Sequence, residues 1–166
     1  MAIKSYERFR VYRIGIDYPA GCRVEFKAKS RREAGDVVFH FPEHETISLS
    51  WGPLERALKS FATAEQQAEH SLEAVKKDRH AKSVDKIAGD AFEVNSHTAS
   101  YNHIKVEEIL SSVFLGKKKV DRQALTLHLH CEPTARYFVI YSMLTPHAPS
   151  DFKDVFLEMA RSLRCH

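Results

Sequence analysis

A chain of 166 residues, 43% hydrophobic and 28% charged, has the balance of a soluble globular protein. It is long enough to bury about 70% of its unfolded surface without a disulfide or a metal. A net charge of +3 makes no case for a nucleic-acid partner, no window reaches the ~20 apolar residues of a membrane helix, and Cys22, Cys131 and Cys165, odd in number and far apart, form no disulfide framework. Free thiols and a first stretch, MAIKSYERFRVYRIG, without an apolar signal region predict a cytoplasmic protein.

In chain order, RVYRIGIDYP alternates, with Tyr12, Ile14, Ile16 and Tyr18 on one side, and CRVEFKAK follows with Val24, Phe26 and Ala28 on one side. Period two with one apolar side predicts half-buried strands, and Pro19-Ala20-Gly21 predicts a tight turn joining them as a hairpin. Val37, Phe39 and Phe41, then Ile47, Leu49 and Trp51, extend this to four strands in sequence. A long helix follows. Thr63 with Gln66 makes a capping box, and Ala64, Ala68, Leu72 and Val75 make one helical stripe.

Residues 83–96 predict a strand or two with a turn at Gly89-Asp90, and 97–106 another strand. Residues 107–115 fit a helix and a buried strand equally, since short apolar runs do not discriminate. GKKKVDRQ predicts a solvated loop; ALTLHLHC, EPTA and RYFVIYSML predict a hairpin. Ser150 is a candidate N-cap for a last helix, whose buried stripe is Phe152, Val155, Phe156, Met159 and Leu163. Strands and helices that do not alternate predict one α+β domain over residues 1–166: an antiparallel sheet with a long central helix and a C-terminal helix packed on it.

This order of elements resembles the PsbP-like fold family, which holds the extrinsic PsbP subunit of the photosynthetic oxygen-evolving complex and the Ran-binding nucleotide-release factors. The matching residues are Tyr18, Pro19, Gly21 and Val24, then FHFPEHETISLSW before the helix, ARYFVIYSM in the late hairpin and FKDVFLEMARSL at the end. Cys22 stands where relatives often carry tryptophan. The resemblance implies an α+β fold and a habit of binding other proteins without catalysis. It implies no site residues, because fold does not fix function.

LTLHLHC holds the residues closest to a chemical motif. On a strand, Leu125, Leu127 and Leu129 share a face with Cys131, so that face is the buried one, and His128 and His130 lie on the other. The histidines are then expected at solvent, where replacing them costs little. A metal alternative needs a third ligand. If 97–106 pairs with 124–131 so that His103 faces His128, then His103, His128 and His130 form a three-histidine set for zinc. No phosphate loop, GxSxG or HExxH is present, which disfavours a hydrolase. Lys117, Lys118 and Lys119 fit a solvated loop. The expected function is non-enzymatic binding of another protein through an exposed sheet face, with edge strands also able to pair two copies. A metal-binding protein using the strand histidines and a hydrolase are the alternatives.

Overall fold

The computed structural model describes residues 5–77, 81–112 and 116–166. A small antiparallel ribbon of β1 (Tyr6–Val11) and β2 (Ile14–Pro19) stands apart from a seven-stranded sheet. The large sheet is built from β3 (Arg23–Phe26), β4 (Gly35–His40), β5 (Thr46–Pro53), β6 (Ala81–Val94), β7 (His97–Ser112), β8 (Gly116–Cys131) and β9 (Arg136–Leu144). Its order is β3-β4-β5-β9-β8-β7-β6, and every pair is antiparallel. The helices are α1 (Leu54–Leu58), α2 (Ala64–Lys76) and α3 (Phe152–Ser162). The architecture is α+β, as the element order predicts.

Several local expectations are corrected. Arg10–Pro19 is not one strand, because Tyr12 and Arg13 take φ of 50° and 64° and form a left-handed two-residue turn between β1 and β2. Gly21 does supply a positive φ, +94°, but the turn passes the chain from the ribbon to the large sheet, so β3 pairs with β4 and not with β2. Gly89-Asp90 is no turn: β6 runs through it and absorbs the irregularity in shifts at Ala81/Ser83 and Lys86/Ala88. The turn comes at Asn95 and Ser96, with φ of 50° and 65°. β7 continues as strand to Ser112, and β8 begins at Gly116 where a loop is expected. Val113, Phe114 and Leu115 lie outside the described residues.

The two faces of the large sheet are covered differently. On one, Leu49, Leu125, Leu127, Leu129, Phe138 and Ile140 are fully buried and share a core with Phe152, Val155, Phe156 and Met159 of α3 and with Ile14 and Ile16 of β2. The stripe predicted for the last helix is buried as expected, although the helix starts at Phe152 with Asp151 in the cap position. On the other face, α2 packs across β6, β7 and β8. Its start follows the sequence: the Gln66 backbone N–H donates to Thr63 Oγ1 at 3.2 Å, and Gln66 Oε1 reaches back to accept from the Ala62 N–H at 2.8 Å. Thr63→Ala is expected to cost about 1 kcal/mol and Thr63→Ser close to nothing, read from urea midpoints at unchanged slope.

Candidate functional site

The strand pattern of β8 sends alternate residues to opposite faces. Leu125, Leu127, Leu129 and Cys131 enter the core as expected, each with no exposed surface. His128 and His130 take the other face, but that face is not at solvent. His128 is 2% exposed, which corrects the expectation of a wet histidine. The cover is α2. The His130 Nε2–H donates to Gln67 Oε1 at 2.8 Å, and His128 Nε2 meets Ser71 Oγ at 3.2 Å. The match is geometric: four residues of helix rise about 6 Å and two residues of strand about 6.6 Å, so an i,i+4 pair on α2 spans an i,i+2 pair on β8.

Because Ser71 Oγ donates to the Gln67 carbonyl at 2.9 Å, the hydrogen between Ser71 and His128 belongs to the ring. His128 Nδ1 is then left with a lone pair, buried and without a hydrogen-bond partner. Burial, with the neighbouring His130 adding to it, pushes the His128 pKa down to about 4, so the ring is neutral at pH 7. Burial also lowers His130 and raises Tyr141.

Beside His128, a cleft of about 170 Å³ opens between α2 and the sheet. Ala68, Leu72 and Val75 form its roof; Ile104, Val106, Ala124 and Val139 form most of its floor. Its polar members include Ser71, Asn102, Thr126 and His128. The volume is close to that of an engineered cavity of about 150 Å³ that takes benzene. At its edge is Tyr141 on β9, an exposed large side chain. Next to Tyr141, Ser48 and Ser50 of β5 continue the same face as a polar, half-covered surface.

The three-histidine set does not assemble. β7 and β8 pair so that His103 faces Leu125 and Ser100 faces His128, three residues from the expected register. An odd shift moves a residue to the opposite face. His103 therefore lies on the Leu125 side, where its Nε2–H donates to Gln123 Oε1 at 2.6 Å, and it cannot share an ion with His128 and His130. Burial pushes the Cys22 thiol up to about 11 and the Cys165 thiol up to about 12, away from the thiolate form.

No protein-family model and no curated protein matches the sequence. Among solved structures, the chain is similar to the solution structure of cyanobacterial PsbP (CyanoP) from Synechocystis sp. PCC 6803, with a TM-score of 0.66 and 16% identity over 99% of this chain and 95% of that one. The fold is PsbP-like. A crystal structure from Bacteroides thetaiotaomicron is similar with a TM-score of 0.46 and 8% identity, over 93% of this chain and 45% of that one.

In this PsbP-like fold β8 serves two places at once. His128 and His130 face α2, while Cys131 turns to the opposite side and meets His97, Cys165 and His166. Sequence reasoning missed the last three. His97 opens a predicted strand with no ligand-type residue beside it in sequence, and strand periodicity does not reveal its cross-strand neighbour. The one signal for the others is a Cys-His dipeptide just past a helix, which carries no ligand spacing of its own.

Proposed function

We propose that this chain is a non-enzymatic protein-binding domain, and that the cleft beside α2, with the sheet face next to it, is where the partner docks. The observation that supports this is the cleft's mouth at Tyr141, on the side of the sheet that α2 leaves open. An extended partner segment lies across the half-covered Ser48 and Ser50 surface and inserts one large apolar side chain under α2. A side chain ending in a hydrogen-bond donor, such as tyrosine, also satisfies His128 Nδ1. A single buried anchor of this kind supplies much of the affinity in many interfaces.

The test is affinity capture with three baits: wild type, Tyr141→Asp and Lys153→Glu, the last an exposed position on α3. The expected result is a protein retained by wild type and Lys153→Glu and lost from Tyr141→Asp, with purified partner binding at least tenfold weaker to Tyr141→Asp. Equal retention by all three removes the cleft from the reading. Retention of a small molecule rather than a protein by the same two baits removes the protein partner.

A further inference from the structure

We propose that His97, Cys131, Cys165 and His166 bind one zinc ion. The four side chains come from two distant parts of the chain. His97 follows the left-handed Asn95-Ser96 turn and opens β7, and Cys131 closes β8 on the same face. Cys165 and His166 follow α3. The chain there is fixed by a reciprocal backbone pair, with the Gly15 N–H donating to Arg164 O at 2.8 Å and the Arg164 N–H to Gly15 O at 2.7 Å. Arg136 Nη2 also donates to Cys165 O at 3.3 Å. Both sulfurs are therefore placed by backbone held in the sheet or tied to it.

The spacing fits the ion. One ligand atom from each residue lies within 4.8 Å of all the others. Zinc binds sulfur at about 2.3 Å and imidazole nitrogen at about 2.0 Å in a tetrahedron, whose sulfur–nitrogen edges are then roughly 3.5 Å. His166 Nδ1 is 3.6 Å from Cys131 Sγ and 3.4 Å from Cys165 Sγ. These are edges of that tetrahedron before any adjustment. His97 supplies the remaining corner: its ring stands edge-on to that of His166, with centroids 5.3 Å apart. Its Nε2 is buried and has no hydrogen-bond partner. Such an atom is costly without an acceptor or an ion to meet it.

Each sulfur has a side-chain hydrogen-bond donor beside it. Thr134 Oγ1 donates to Cys131 Sγ at 3.0 Å, and Asn95 Nδ2 donates to Cys165 Sγ at 3.2 Å. Hydrogen bonds of this type orient metal-bound sulfurs and temper their charge. Two thiolates neutralise a dication, and the two thiol protons leave to solvent on binding. A soft two-sulfur, two-nitrogen set selects zinc over magnesium or calcium, and four protein ligands leave no position for water, so the role is structural. The ion clips the segment after α3 to the ends of β7 and β8.

The reduced, metal-free chain is titrated with cobalt(II), then with zinc. The expected result is one equivalent of cobalt bound, with the intense visible bands of a tetrahedral site and a near-ultraviolet thiolate charge-transfer band, both erased by zinc. Cys131→Ser and Cys165→Ser weaken the charge-transfer band. Because buried cysteines also affect folding, His97→Ala and His166→Ala carry the decision. Each is expected to weaken binding at least tenfold with unchanged circular dichroism, while His70→Ala, on the exposed side of α2, binds as wild type. The proposal is overturned by only weak octahedral cobalt bands, by binding that survives the His97→Ala/His166→Ala pair, or by freshly isolated chain in which Cys131 and Cys165 have lost two hydrogens to a disulfide.

Discussion

Arg136→Met is expected to cost about 4 kcal/mol, lowering the melting temperature by roughly 10 °C. Arg136 is 4% exposed on the core face of β9, opposite Cys131. Its guanidinium is met by backbone: Nη1 donates to Tyr12 O at 3.1 Å and Arg32 O at 3.2 Å, and Nη2 to Cys165 O at 3.3 Å. One side chain therefore joins the β1–β2 turn, the loop before β4 and the segment after α3. Methionine fills much of the volume and returns none of the donors, leaving three carbonyls short of a partner at about 1–3 kcal/mol each when buried. The effect should appear as a shift in the urea midpoint. A loss below about 1 kcal/mol would mean that water reaches those carbonyls.

The second large effect is on acid stability and comes from His128. Its folded pKa of about 4 lies below the ordinary value of 6.5. Between those values the unfolded chain takes up a proton that the folded chain refuses, so this contribution to stability is complete above pH 6.5 and is lost as pH falls toward 4. The difference is on the order of 3 kcal/mol. His128→Gln should flatten the stability profile in that window. His130→Gln should flatten it less, since His130 is shifted the same way but is less buried. A wild-type profile that is already flat from pH 6.5 to 4 would sink this account.

The face assignment of β8 follows from sequence because a register slip would expose Leu125, Leu127 and Leu129, each worth about 1.5–3 kcal/mol when buried. The last helix and the α2 cap are legible for the same local reasons: an apolar stripe at helical spacing and a threonine three residues before a glutamine. The cover over His128 is not local. It depends on α2 lying antiparallel to β8 so that Gln67 and Ser71 meet His130 and His128, and nothing in HLH announces that. His103 is misplaced for a related reason. Cross-strand register is set by the β7–β8 connection, and an error of three residues there inverts the face. The grouping of His97 with Cys165 and His166 rests on where α3 ends in space, the longest-range information in the fold.

The strand order also has a kinetic consequence. β5 finds its partner in β9, where Ser48 lies opposite Tyr141 and their hydrogen bond joins residues 93 positions apart. On the ribosome, β3, β4 and β5 are therefore complete long before β5 has a neighbour on its inner edge, and α2 emerges before the strands it will cover. Closing so long a loop must precede the contacts that reward it, which slows folding in sheets dominated by distant pairings. The open edge of β5 is meanwhile a template for wrong pairing. Nascent chains stalled before Arg136 should hold two unjoined half-sheets, and β9 is the strand whose arrival turns them into one.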